Sequence, residues 1–110
     1  MDTDHAVVMT TCANEEDAKP IIDVLLSNGL AACVQVLPIN SYYLWKGDVA
    51  NDSEVLLLIK CKKSKYEKIQ NEILNFHKYE IPEIIQLPIS DGLDKYLAWI
   101  DDPRDQTETF

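Results

Sequence analysis

Residues 30–61 read LAACVQVLPINSYYLWKGDVANDSEVLLLIKC, and this stretch predicts a β-hairpin at the centre of the chain. Residues 30–37 and 55–61 are almost continuously apolar, as expected for strands that are covered on both faces. Between them, residues 46–48 (KGD) are typical of a tight turn. The stretch therefore predicts two antiparallel neighbours in one sheet.

Two features predict irregularities in this hairpin. Pro38 has no N–H to donate to a strand ladder, so it predicts an interruption after residue 37 and an edge position in the sheet. The strand then resumes over residues 39–45. Residues 51–53 (NDS) predict a bulge or kink before the second apolar run.

Outward from the hairpin, strands alternate with helices. Residues 5–12 (HAVVMTTC) and 83–89 (EIIQLPI) have the composition of strands. Three helices are predicted by apolar residues at helical spacing: Ala18, Ile21, Ile22 and Leu25; Tyr66, Ile69, Ile73 and Phe76; and Leu93, Tyr96, Leu97 and Ile100. The order β-α-β-β-α-β plus a C-terminal helix predicts an α+β fold of the ferredoxin-like type. Right-handed crossovers then give an antiparallel sheet in the order 4-1-3-2, with helices on one face.

The edges of this sheet predict self-association. Strands two and four lie at the edges, and both remain long and apolar beside their prolines. No helix is left to cover the other face. We therefore expect residues 1–101 to form a single domain completed by other copies, followed by a polar tail over residues 102–110. The alternative is a monomer whose sheet is half exposed to water.

Composition limits the partners and the location. The 110 residues carry a net charge of −9, and the single arginine, Arg104, falls in the tail. Nucleic acid is therefore not expected as a partner, because phosphate binding depends on clustered Lys and Arg. No apolar run approaches the roughly 18 residues that a membrane helix needs, so no membrane association is expected. Without a recognisable secretory signal, we expect a cytoplasmic location.

The three cysteines, Cys12, Cys33 and Cys61, form no C-x-x-C pair and are expected to be reduced thiols. Their placement depends on the hairpin register. If Trp45 pairs with Val49 in an unbroken hairpin, Cys33 faces Cys61. A one-residue bulge would place the two on opposite faces.

Several motifs in register resemble the CutA family of divalent-cation tolerance proteins. The resemblance covers roughly residues 7–101, and its motifs are AACVQ at 31–35, Y-x-W-x-G at 43–47, EVLLLIK at 54–60, H-x-YE-x-PEI at 77–84 and YL-x-WI at 96–100. It implies a ferredoxin-like subunit assembled as a homotrimer, similar in architecture to the trimeric PII signalling proteins. One departure is Lys78, which stands where the family usually has proline and disfavours a second cation beside His77.

The resemblance also implies a metal function, for which Cys33 and His77 are the candidate ligands. A thiolate and an imidazole together suit copper or zinc, so Cu²⁺ or another divalent cation is the expected ligand. The topology places Cys33 and His77 at opposite ends of the sheet. Any shared ion must therefore lie between subunits. The alternative is a buried thiol and a polar histidine at a helix end.

A polar and aromatic group suggests a cleft between subunits. Its members are Tyr43, Trp45, Glu54, Lys60, Tyr79, Glu80 and Trp99. Buried Tyr and Trp need hydrogen-bond partners, so the group is either interface or pocket, and we expect a cleft that serves as both. Lys60 follows five apolar residues and requires a partner, for which Glu80 or Glu83 could serve.

An enzyme is not expected, because the sequence lacks a Gly-rich phosphate loop, a Ser-His-Asp pattern and an H-E-x-x-H helix. No organic cofactor is expected either. The resemblance to the CutA family implies a homotrimeric divalent-cation tolerance protein. The alternative is a PII-like trimeric small-ligand sensor or scaffold without metal chemistry.

Overall fold

The computed structural model describes residues 2–103 as one four-stranded antiparallel sheet with three helices. The elements are β1 (His5–Cys12), α1 (Glu15–Ser27), β2 (Cys33–Trp45), β3 (Asp48–Lys62), a 3₁₀ turn (Lys63–Lys65), α2 (Tyr66–Phe76), β4 (Ile84–Pro88) and α3 (Asp94–Asp101). The strand order β2-β3-β1-β4 is the predicted order seen from the other edge. The α+β class and strand order are therefore confirmed. Of the predicted tail, residues 104–110 lie outside the described part.

Local signals at both ends fix α1. The Asn14 side chain accepts a hydrogen bond from the Asp17 N–H at 2.8 Å and caps the first turn. At the other end Leu30 N–H donates to Leu25 O at 2.9 Å, around Gly29 with φ of 66°. This is a Schellman motif, whose left-handed position favours glycine.

The hairpin is regular along its whole length, so the predicted break at Pro38 and the predicted bulge at residues 51–53 are wrong. Partners run without a gap from Cys33 opposite Lys60 to Trp45 opposite Asp48. Pro38 is tolerated because β2 is an edge strand, where a missing N–H can point away from the neighbour. The two turn residues at 46–47 both have positive φ, 51° and 85°, as in the type I′ turn that matches strand twist.

This register also decides the placement of the cysteines. Trp45 pairs with Asp48 and not with Val49, so Cys33 lies opposite Lys60. Side chains alternate between faces, so Cys33 and Cys61 point to opposite sides of the sheet and do not face each other. Cys61 is buried, whereas Cys33 is partly exposed, and all three cysteines are free thiols.

The main core lies between the sheet and the pair α1 and α2. Its fully buried members include Val8, Ile21, Leu57, Ile59 and Ile69. The opposite sheet face is largely open and carries Leu37, Ile85 and Leu87, each close to half exposed.

Contrary to expectation, this open face is not entirely without a helix, because α3 covers one end of it. His5 Nε2 lies 2.8 Å from Asp101 Oδ1, and Lys60 Nζ lies 5.6 Å from the Tyr96 ring centroid. Away from α3, Leu37, Ile85 and Leu87 remain close to half exposed.

The hairpin extends beyond the other strands as a two-stranded arm, formed by residues 39–54. β1 ends with Cys12 opposite Val55, so no third strand among the described residues pairs with the arm. The extents of 49 × 30 × 25 Å and the radius of gyration of 15.0 Å reflect this extension, since about 13 Å is usual for this length. An isolated two-stranded hairpin is marginal in water. Yet the arm is 73% exposed at Tyr42 and 78% exposed at Leu44.

Candidate functional site

The arm, from Ser41 to Trp45 on β2 and at Asp52 and Glu54 on β3, forms one side of a cleft of about 870 Å³ on the open face. Residues 78–83, which follow α2 and are called the cleft segment below, form the other side, and Thr11 near the end of β1 also lines the cleft. The structure brings five of the predicted cleft residues into this lining: Tyr43, Trp45, Glu54, Tyr79 and Glu80.

Two predicted cleft residues, Lys60 and Trp99, lie elsewhere. Lys60 is six residues from Glu54 along β3, a separation of about 20 Å. Its ammonium lies over the ring of Tyr96, which also packs on Trp99 at 5.7 Å between centroids. Pairing of Lys60 with Glu80 or Glu83 in the same subunit is therefore wrong, because both glutamates line the distant cleft.

His77 connects the cleft segment to β1 through both of its ring nitrogens. Nε2 lies 2.7 Å from Thr11 O, and Nδ1 lies 3.0 Å from the Tyr79 backbone N. A carbonyl only accepts and a backbone N–H only donates, so Nε2 carries the proton and Nδ1 accepts. The rings of His77 and Tyr79 also pack at 4.8 Å between centroids. His77 therefore holds the start of the cleft segment against the sheet.

One tyrosine hydroxyl continues this network across the cleft, and a second forms a hydrogen bond within the arm. Tyr79 Oη donates to Glu54 Oε2 at 2.7 Å, and Tyr43 Oη donates to Asp52. Burial, followed by the hydrogen bond to Glu54, raises the pKa of Tyr79. The hydrogen bond to Asp52 is the largest cause of the raised pKa of Tyr43. Both phenols therefore stay neutral and donate to carboxylates near neutral pH.

The two buried cysteines lie at opposite ends of β1, Cys12 beside His77 and Cys61 opposite Ala6. Cys12 Sγ lies 3.8 Å from His77 Nε2, but burial and then the charges of Asp17 and Glu54 raise its pKa to about 11. Burial raises the pKa of Cys61 to about 11 as well. Both thiols are therefore protonated at neutral pH in the metal-free protein, and a metal would have to displace that proton.

The predicted ligand pair does not meet within one subunit. Cys33 lies level with Val7 across the sheet, whereas His77 bonds to Thr11, about 13 Å further along β1. Residues 2–103 contain no cluster of three or more His, Cys, Asp or Glu side chains placed to hold a metal ion. With both His77 nitrogens already bonded, the described residues of one subunit do not fit a resident metal.

Several residues that line the cleft were not predicted from the sequence. Two of them, Asp52 and Lys78, are charged. Asp52 could have been found by its spacing, because residues 52 and 54 of one strand share a face. Lys78 Nζ lies 3.0 Å from Asp17 Oδ1, so its ammonium is paired with α1, and this hydrogen bond is the largest cause of its raised pKa.

Comparison with known proteins decides the family. Residues 6–103 match the family model for the CutA1 divalent ion tolerance protein. The chain belongs to the CutA1 family. The resemblance seen in the sequence motifs is thereby confirmed, and the matched region takes in the sheet, the arm and all three helices.

Two similar CutA proteins illustrate the match. The chain is 45% identical over 93 residues to the protein CutA homolog of Xenopus laevis, covering 84% of this chain and 62% of that one. It is 40% identical over 95 residues to the divalent-cation tolerance protein CutA of Thermus thermophilus, covering 86% and 92%. The chain spans between half and two thirds of the length of the CutA relatives from Danio rerio, Arabidopsis thaliana and Xenopus laevis.

A solved CutA1 structure supports the fold. The crystal structure of CutA1 from Oryza sativa matches with a TM-score of 0.87 and 37% identity, covering 96% of this chain and 98% of that one. No helix within residues 2–103 has the length and apolar character needed to cross a membrane.

Proposed function

We propose that this CutA1 chain acts as a homotrimer in divalent-cation tolerance, with ligand clefts completed between subunits. The observation that carries the proposal is the arm of residues 39–54, which exposes large apolar side chains without a third strand to support it. Monomeric proteins rarely leave such surfaces in water. Partner copies would cover the arm and the open face together, and the number three rests on the family resemblance.

An arm variant tests this assembly. Leu44→Ser removes an apolar side chain at the tip of the arm, whereas Leu74→Ser removes a half-exposed leucine from α2. The proposal predicts that only the first variant weakens association in light-scattering measurements during dilution. Equal association of both variants and the wild type would count against the arm as the interface.

The metal part of the proposal is a copper ion shared by Cys33 of one subunit and His77 of a neighbour. It is supported by the exposure of Cys33, the only one of the three cysteines that is not buried. To bind copper, His77 must release either the Thr11 carbonyl or the Tyr79 N–H. We therefore expect weak binding.

Titration of the trimer with Cu²⁺ and Zn²⁺ tests this part. Affinity should fall in both Cys33→Ser and His77→Ala. Unchanged copper affinity in either variant would rule out the shared site.

A second candidate function is a trimeric small-ligand sensor or scaffold resembling the PII proteins, without metal chemistry. It is favoured by the size of the cleft, about 870 Å³, and by the two bonded nitrogens of His77. A cytoplasmic location and the absence of catalysis, organic cofactor, nucleic-acid partner and membrane association remain predictions.

A further inference from the structure

The cleft has a strongly unbalanced charge. Among residues 2–103, four carboxylates line it, from Asp52, Glu54, Glu80 and Glu83, against the single ammonium of Lys78. Lys78 is already paired with Asp17 on α1, which is outside the lining. The part of the cleft that one subunit contributes therefore carries an excess of negative charge that its own described residues do not neutralise.

Aromatic rings form the second component of the same lining. They belong to Tyr42, Tyr43, Trp45 and Tyr79, and the Trp45 side chain is 61% exposed. The neighbouring Lys46 Nζ lies 5.6 Å from the Trp45 ring centroid, so this ring already accepts a cation–π contact from the chain itself. Aromatic faces combined with carboxylates are suited to cations that also have apolar surface.

The hydrogen-bond directions argue against an anionic ligand. The hydroxyls of Tyr43 and Tyr79 donate to Asp52 and Glu54, which takes the phenolic protons away from any ligand oxygen. None of the described residues that line the cleft is an arginine. A carboxylate or phosphate ligand would thus meet repulsion and few available donors.

A bare metal ion fits the cleft poorly as well. Among residues 2–103 no three candidate ligands converge on one point. A cavity of about 870 Å³ is in the range of sites for small organic molecules.

We propose that this cleft binds a small organic cation of the alkylammonium class. The rings of Trp45 and the tyrosines contact its apolar groups, and the carboxylates balance its charge. The proposal deepens the sensor function and rests on the cleft being a binding site.

Three probes of nearly equal shape isolate the role of charge: tetramethylammonium, tert-butanol and pivalate. Binding is followed at constant ionic strength by the fluorescence of Trp45 in a Trp99→Phe background, and by saturation-transfer NMR on the wild type. Tetramethylammonium should bind at least about tenfold more tightly than tert-butanol, as one or two cation–π contacts imply, and pivalate should not bind. Equal binding of the cation and the neutral probe overturns the inference.

Matched variants separate the ring from the carboxylates. Trp45→Leu should weaken tetramethylammonium binding several-fold, whereas Trp45→Phe should retain most of it, with NMR as the readout for both. Glu80→Gln should weaken binding, and Glu67→Gln should not, because Glu67 lies in the first turn of α2, outside the lining. Equal effects of the two glutamine variants would contradict the inference.

Sedimentation of the same samples distinguishes this inference from the proposed function. A trimer without preference for the cation refutes the inference and leaves the trimer proposal intact. A monomer that prefers the cation refutes the trimer and supports the inference.

Discussion

Replacing His77 by alanine should destabilise the protein in the complete absence of metal. The imidazole makes two hydrogen bonds to backbone groups, at 2.7 Å to Thr11 O and at 3.0 Å from Tyr79 N, and it packs on the Tyr79 ring. Each hydrogen bond contributes about 1 kcal/mol net. The ring contact adds about 0.5 kcal/mol. His77 is partly exposed, so water recovers some of this loss in the variant, and we expect the free energy of unfolding to fall by about 2 kcal/mol.

Urea unfolding of metal-free protein, in the presence of chelator, measures this change. With a typical dependence of 1–3 kcal/mol per molar urea, the midpoint should fall by roughly 1 M. Wild type and variant are compared at equal protein concentration, because association shifts apparent stability.

The control variant is Asn75→Ala, two residues earlier in the last turn of α2. The Asn75 amide makes only an exposed contact of 3.3 Å with Glu72, so its loss should change stability by no more than about 0.5 kcal/mol. A metal-ligand role alone would leave the metal-free His77→Ala protein as stable as the wild type. Equal midpoints for His77→Ala and the wild type would refute the structural role assigned to this ring.

Three further predictions follow from single contacts. Gly29→Ala should lower the free energy of unfolding by about 1 kcal/mol, because alanine is strained at φ of 66°; an unchanged thermal midpoint would contradict this. Tyr79→Phe removes only the hydroxyl bonded to Glu54 and should reduce stability by about 1 kcal/mol in urea unfolding. Cys12 and Cys61 have pKa values raised from 9.0 to about 11. The stability that their buried neutral thiols contribute is thus fully present below about pH 9 and is lost as pH rises through 11. Urea unfolding between pH 8 and about 10.5 should show this decline, and Cys61→Ala should make it shallower; a slope equal to that of the wild type would exclude the thiol as its source.

The order and type of the elements could be predicted because each carries a local signal. Ile21 and Leu25 repeat at helical spacing, and both are fully buried on the inner face of α1. The hairpin register could not be predicted with the same success. Pro38 suggested a break, but whether a proline is tolerated depends on which side of the strand has a neighbour. That is a property of the assembled sheet, and here β2 is at its edge.

The site was predictable only in part, for a related reason. The motif resemblance selected His77 and Tyr79, yet the role of His77 follows from the backbone positions of Thr11 and Tyr79, which become neighbours only in the folded chain. Lys60 was grouped with Glu80 on residue type alone. Its actual neighbour, the ring of Tyr96, depends on where α3 packs, and no sequence pattern specified that position.

The central claim is that the exposed arm and the open sheet face are covered by copies of the same chain. Sedimentation equilibrium at micromolar concentration, with circular dichroism to verify folding, tests it most directly. We predict a single species of three times the 12.5 kDa of one chain. A folded species with the mass of a single chain would contradict the account.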